Sequence, residues 1–516
     1  MTASRRTFLQ LSATATLSHV FRSPLFADDA SSRELCRRLI SDPLRPQYHL
    51  LPASNWMNDP NGPIFFGGQY HMFHQYNPDG AVWGNMHWAH AVSPDLVHWK
   101  HEPIAIAPTR DGDDRDGVFS GSAVLDRGMP TVIYTGVAPP RTEADATLRD
   151  GKHVWREVQC LARSRDPLLR TWEKLPQPVI SAPPPGMAVT GFRDPAFWHE
   201  ADSWWLILGS GTREKGGAIL LYRSTDLRNW TFLRPIIEGG ASGKNTTNPV
   251  DDGDMWECPD FFPLGGKHVL LISTMGKVHW KVGTYKNQKF TPEKEGIVDH
   301  GAYYAAKSML DRDGNRILWG WIPETRPEPE HAAAGWAGAM SLPRLLSLTA
   351  DGELAMKFAP AVTQLRGAPG SSGQTQSHAQ QKAVADVRIA NLSAEMQIEF
   401  RSKPGQTVEL RLVSEAGPTF ALISMVDHAG KRELNVNGIV ALLPGSSGSP
   451  IRLHAFLDGS VLEVVANNIT AITARVYVAP SGPLRMRIDG EPEITSLEVW
   501  QMKPISRNRL TSPLCD

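Results

Sequence analysis

The chain has 516 residues, with 53 Lys+Arg against 54 Asp+Glu and a formal net charge of −1. That length exceeds one ordinary core and predicts about two to four domains, while the balanced charge argues against a nucleic-acid or anionic-membrane partner. A hydrophobic fraction of 41% and a charged fraction of 21% exclude wholesale disorder, and no apolar run reaches the ~18 residues of a membrane span.

The first element in chain order is an address. Ser4-Arg5-Arg6-Thr7-Phe8-Leu9 matches the twin-arginine export pattern, a mildly apolar Ser/Thr-rich stretch runs to Val20, and Ala27 is placed for cleavage. Residues 1–27 are expected to be a signal that exports the protein to the periplasm or beyond, with no membrane anchor left after processing. Twin-arginine substrates fold before translocation, which suits a chain that does not depend on disulfides. The four cysteines, Cys36, Cys160, Cys258 and Cys515, are too scattered for a disulfide scaffold and lack zinc-site spacing. They are expected to be free, mostly buried thiols, with a Cys36–Cys515 bridge between the ends as an open alternative that nothing in the sequence supports.

The middle of the chain repeats itself. Ser93-Pro94-Asp95-Leu96-Val97-His98-Trp99 recurs as Ser224-Thr225-Asp226-Leu227-Arg228-Asn229-Trp230, with a looser copy from Ser164 to Trp172. Each copy pairs Ser/Asp turn residues with a Trp and a following apolar strand. A second element alternates with it. Asn58-Asp59-Pro60, Phe119-Ser120-Gly121-Ser122, Arg193-Asp194-Pro195 and Glu257-Cys258-Pro259-Asp260 each lead into an apolar strand, and Tyr303-Tyr304-Ala305-Ala306 is a weaker fifth member. Five units of four strands are best satisfied by sheets set radially around a channel, which leaves only short edges. A five-bladed β-propeller is therefore predicted over residues 47–350. A β-solenoid would show shorter and more regular repeats.

Composition shifts after Leu365. Residues 366–382 are rich in Gly, Ser, Gln and Pro and read as a linker. From 383 to 505, short alternating runs such as Val408-Glu409-Leu410-Arg411-Leu412 predict a second all-β unit, a β-sandwich. The expected fold class is thus all-β, a propeller followed by a sandwich.

In a propeller, the innermost strands begin at one mouth of the central channel, so equivalent positions in different blades converge. Asp59, Asp194 and Glu257 are expected at the same place in blades one, three and four, forming a funnel of three carboxylates. Like charges that close raise one another's pKa, which can keep one carboxyl protonated beside an ionised one. A carboxylic acid paired with a carboxylate nucleophile is the machinery of retaining glycoside hydrolysis. Arg193 is expected to keep Asp194 ionised, and Cys258 and Pro259 to give Glu257 apolar surroundings that lift its pKa. The 16 Trp against 9 Tyr fit a sugar-handling protein, although most Trp pack in cores.

Three blocks carry a family resemblance. Trp56-Met57-Asn58-Asp59-Pro60-Asn61-Gly62, Phe192-Arg193-Asp194-Pro195 and Trp256-Glu257-Cys258-Pro259-Asp260 resemble the signature blocks of glycoside hydrolase family 32, which includes invertases, exo-inulinases and exo-levanases. The likeness continues through Gln75-Tyr76-Asn77-Pro78, Trp83-Gly84 and Phe119-Ser120-Gly121-Ser122 to Ser341-Leu342-Pro343-Arg344. It implies hydrolysis of terminal β-fructofuranosyl units of sucrose or fructans such as inulin and levan. Asp59 would be the nucleophile, Glu257 the acid/base and Asp194 the transition-state stabiliser, with Asn58, Gln75, Trp83, Ser120 and Arg193 lining the fructose subsite. For Trp83 and Ser120 the competing role is inter-blade packing, and for Gln75 a hydrogen bond closing a blade. The family uses no metal, and no cofactor is implied. In the second domain, Asp458-Gly459-Ser460-Val461-Leu462-Glu463-Val464-Val465 resembles a late family motif with Val465 in place of an aromatic, which raises a question about local packing. A fructosyltransferase would share the same catalytic residues, a non-catalytic sugar binder would have lost one of the three carboxylates, and a five-bladed family acting on arabinans shares the architecture.

Overall fold

The structure is a computed structural model and describes residues 30–373, 387–414, 419–428 and 431–508. The 1–27 leader and Cys515 lie outside the described residues. A short helix, Ala30–Ser41, precedes the first sheet. Cys36 on this helix is disulfide-bonded, which corrects the expectation of a free thiol there. Cys160 and Cys258 are free and buried.

Five antiparallel sheets follow in chain order, each starting from one innermost strand: Asn55–Phe66, Gly117–Asp126, Phe192–Glu200, Glu257–Leu264 and Tyr304–Leu310. These five strands contact one another in a ring, the first against the fifth. Trp336-Ala337, from the fifth blade's loop, pairs in parallel with Asn55-Trp56 of the first and closes the circle. The second strand of blade three, Ser203–Thr212, is buried along nearly its whole length because neighbouring blades cover both faces, whereas the outermost Thr231–Glu238 is mostly exposed on one side. The Ser-x-Asp repeat forms the turn between the third and fourth strands. Asp95 accepts the backbone N–H groups of Val97 and His98, and Asp226 accepts those of Arg228 and Asn229. Leu96, Leu169 and Leu227 all take positive φ at the same point of this turn.

The second domain is two six-stranded sheets, one headed by Arg366–Gly373 and the other by Val387–Ile389. Thr407–Ser414 alternates exposed and buried side chains, as a strand with one face on a sandwich core must. Arg366–Gly373, expected to open a linker, instead pairs with Glu493–Met502 as an edge strand. Its Gly/Ser composition hid it because an edge strand needs few apolar side chains. Residues 374–382 of the expected linker lie outside the described residues.

Propeller and sandwich are clamped by buried ionic groups. Asp458 accepts the backbone N–H groups of Gln47, Tyr48 and His49 at 2.6, 2.8 and 3.0 Å, and the His49 ring at 2.8 Å. Glu463 accepts from the other His49 nitrogen at 3.0 Å, from the Leu342 N–H at 2.8 Å and from Arg344 at 2.5 Å. Arg344 also reaches Asp299 at 2.8 Å. The late motif of the sandwich is thus the socket for blade five and for the segment that leads into blade one. Val465 is 2% exposed, within a core shared by blades one, four and five and the sandwich, so the missing aromatic leaves no solvent-exposed gap at that position.

Candidate active site

All five innermost strands carry the same irregularity. Two residues oppose one on the neighbouring strand: Asn58-Asp59 against Gln75, Phe119-Ser120 against Thr135, Asp194-Pro195 against Leu208, Cys258-Pro259 against Ile272, and Ala305-Ala306 against Gly320. This is a β-bulge, which turns side chains out of the alternating pattern and re-aims them. Its first residue is left-handed in three blades, with φ of 66° at Asp194, 48° at Cys258 and 52° at Ala305. Such conformations cost about 1–3 kcal/mol each and persist where the surrounding fold enforces them.

The bulge corrects one expectation. Asp59, Asp194 and Glu257 are not at one equivalent position: Asp59 is the second bulge residue, Asp194 the first, and Glu257 the residue before the bulge. They meet all the same, because the re-aimed backbone lets three successive positions face the axis. The Cys258 thiol joins two of them, 3.4 Å from Asp59 Oδ2 and 3.5 Å from Asp194 Oδ2.

Each carboxylate has its own partners. Asp59 is half-buried and accepts from Ser120 Oγ at 2.6 Å and from Asn58 Nδ2 at 3.1 Å, while Asn58 is itself fixed by Trp56 Nε1 at 2.8 Å. Burial raises the Asp59 pKa, the Ser120 and Asn58 bonds oppose the rise, and the Glu257 charge adds to it. Asp194, 3% exposed, accepts the Cys258 N–H at 2.9 Å, and its own N–H donates to Thr135 Oγ1 at 2.9 Å. Its pKa is raised by burial, with Glu257 and Asp59 adding to the rise and Arg193 opposing it. Arg193 therefore does not fix Asp194 as expected.

The guanidinium of Arg193 goes to Glu257 instead, with Nε and one terminal nitrogen on Oε1 at 3.0 and 2.7 Å; the other terminal nitrogen binds Glu157 at 2.9 Å. Arg193 stays charged despite burial because Glu157 and Glu257 face it. Glu257 Oε2 accepts the Tyr304 hydroxyl at 2.7 Å. Glu257 is thus set among polar groups, not in the apolar surroundings that its neighbours in sequence suggested.

The remaining expected residues divide. Ser120 and Asn58 touch Asp59 directly. Gln75 is buried and donates to Val118 O in the next blade at 2.9 Å, so its amide ties blades one and two together. Trp83, 39% exposed, joins an aromatic cluster with Phe119, His153 and Trp155, its centroid 5.0 Å from His153. Sequence reasoning missed Tyr304, Glu157 and Thr135. Tyr304 lies in the fifth repeat at the same position as Glu257, so the repeat itself carried the signal for it. A cavity of about 350 Å³ opens over Glu257, Arg193 and Tyr304, walled by Asp150, Asp251 and Trp321.

Comparison with known proteins agrees with this geometry. The N-terminal domain of glycosyl hydrolases family 32 matches residues 49–357 and the family's C-terminal domain residues 361–501. The chain belongs to glycosyl hydrolase family 32. It is a glycoside hydrolase of the β-fructofuranosidase type. A raffinose invertase of Escherichia coli is 38% identical, covering 89% of this chain and 95% of the relative, and a sucrose-6-phosphate hydrolase of the same organism is 34% identical over 84% and 90%. Fructan 1-exohydrolase IIa from Cichorium intybus superposes with a TM-score of 0.73 at 28% identity, covering 90% of this chain and 98% of that one. A mutant Bombyx mori family member in complex with sucrose gives a TM-score of 0.75 at 27% identity, covering 93% and 99%.

Proposed function

We propose that this family 32 enzyme is an exo-acting β-fructosidase that hydrolyses terminal fructofuranosyl units with retention, by double displacement. The observation that carries the reading is the convergence of Asp59, Asp194 and Glu257 at the head of the innermost strands, with Asp59 and Glu257 held by different partners. Asp59, oriented by Asn58 and Ser120, attacks the anomeric carbon. Glu257, aimed by Arg193 and Tyr304, delivers a proton to the leaving oxygen. Once Asp59 is esterified, Glu257 takes a proton from the attacking water, whose oxygen displaces the fructosyl group and frees the Asp59 carboxylate. Asp194, buried beside both, accepts hydrogen bonds from fructose hydroxyls as the oxocarbenium-like transition state forms.

The test is fructose release from sucrose, inulin and levan, with Asp59→Ala and Glu257→Ala run beside the parent chain. Release from at least one substrate, lost in both variants, is the expected result. No release from any of them by a folded protein would sink the reading. Oligofructoside products at high sucrose would indicate transfer instead of hydrolysis. The segment Ser4–Leu9 supports export, which Arg5→Lys with Arg6→Lys should abolish in a cell-fractionation assay.

A further inference from the structure

The wall of the funnel on its leaving-group side has a one-sided charge. The ionic groups lining the cavity over Glu257 are Asp150, Asp251, Glu257 and Arg193. Arg193 is the sole cation among these lining residues, and its guanidinium is committed to Glu257 and Glu157. Asp150 and Asp251 sit on two segments, 147–151 and 246–251, that form a partition. Asp150, Asn248 and Asp251 face the funnel, while Arg149, Thr246 and Thr247 face a second cavity of about 770 Å³ on the far side. The two segments touch at the crest, where a Cβ placed on Gly151 would lie 2.7 Å from Thr247 Cβ.

The partition turns its own arginine, Arg149, to the far side. Arg149 and Arg213 line the far cavity and are engaged there, Arg149 on Glu143 O at 2.9 Å and Arg213 on Asp252, Asp254 and Thr246 O. Lys152 and Lys244, on the same two loops, line neither cavity. Asp150 is held by the N–H groups of Lys152 at 2.9 Å and His153 at 2.7 Å and by the His153 ring at 3.0 Å. Burial pushes its pKa up, but these bonds outweigh it and hold the carboxyl below its ordinary value. His153 in turn stacks on Trp155 at 4.3 Å, next to Trp83.

Resting on the fructosidase reading above, we propose that the leaving-group side of the funnel selects an uncharged saccharide and rejects a sugar phosphate, with Asp150 and Asp251 as the discriminating residues. Sugar hydroxyls donate to carboxylates such as Asp150 and Asp251. A phosphate dianion brings only acceptor oxygens and like charge to the same wall, and the one cation among its described lining residues, Arg193, is already held by Glu257 and Glu157.

The experiment is kcat/KM of the purified full chain for sucrose and for sucrose 6-phosphate, at low and at high ionic strength. Sucrose should be preferred by about tenfold or more, and salt should narrow the gap. Asp150→Asn combined with Asp251→Asn should narrow it too, by raising kcat/KM for the phosphate ester. Asp251→Asn alone leaves the His153 stack in place and should move the ratio in the same direction. Equal or better turnover of sucrose 6-phosphate by the parent chain, or a gap moved by neither salt nor the substitutions, would overturn the proposal alone. Hydrolysis of none of sucrose, sucrose 6-phosphate, inulin or levan would remove the fructosidase reading and the proposal together.

Discussion

Two sets of carboxylates, in the funnel and at the clamp between domains, show how the same side chain serves opposite ends. At the clamp every charge has a counter-charge: Glu463 sits against Arg344 and His49, and burial, which would raise its pKa, is outweighed so that the pKa falls. His49 responds in kind, its pKa lowered by burial but carried up to about 9 by Asp458 and Glu463. In the funnel, Asp59 and Asp194 lie close to Glu257, whose carboxylate holds the Arg193 guanidinium, and the pKa values of Asp59 and Asp194 rise. The clamp spends its ionic groups on docking two domains, whereas the funnel holds charge under tension for chemistry.

The comparison makes opposite predictions for substitution. Asp194→Asn should lower kcat by about 10³-fold or more, because it removes the group proposed to act on the transition state. Its stability should stay level or rise by about 1 kcal/mol in urea titrations, since a carboxylate with a raised pKa opposes folding at neutral pH. Glu463→Gln should do the reverse: about 3–5 kcal/mol lost from the unfolding free energy as Arg344 and His49 lose a partner, with kcat nearly kept while the protein stays folded. A large loss of stability in Asp194→Asn, or none in Glu463→Gln, would break the distinction.

pH sharpens it further. The folded pKa of His49, about 9, lies above the ordinary value of 6.5, so its contribution is full below pH ~6.5 and is lost as pH rises through about 9. On the order of 3 kcal/mol is at stake, to be read from urea midpoints between pH 6 and 10, and His49→Gln should flatten the curve. The smallest expected effect is at Tyr304. Tyr304→Phe removes one hydrogen bond to Glu257 and should lower kcat/KM by about tenfold without moving the unfolding midpoint.

Much of this was legible in the sequence, for a physical reason. A propeller repeats one sheet, so Asp95, Asp166 and Asp226 recur with their turns, and Asp59, Asp194 and Glu257 stand in blocks that mark strand starts. The edge strand Arg366–Gly373 was not legible because backbone pairing with Glu493–Met502 makes no demand on composition. Nor was the bond of Cys36, since the spacing of scattered cysteines in the chain carries no distance in space.

The sequence by itself determined which carboxylates meet, because periodic strands bring the starts of five blades to one axis. Tertiary structure alone decided what each carboxylate meets. The bulge common to every innermost strand lets Asp59, Asp194 and Glu257 face the axis from three successive positions, and across the blades Arg193 reaches Glu257 in place of its own neighbour Asp194. Partners such as Tyr304, 47 residues away in the chain, come within 2.7 Å only when blade five packs beside blade four. Periodicity is a local property of the chain, but hydrogen-bond choice is settled by distances that exist only after folding.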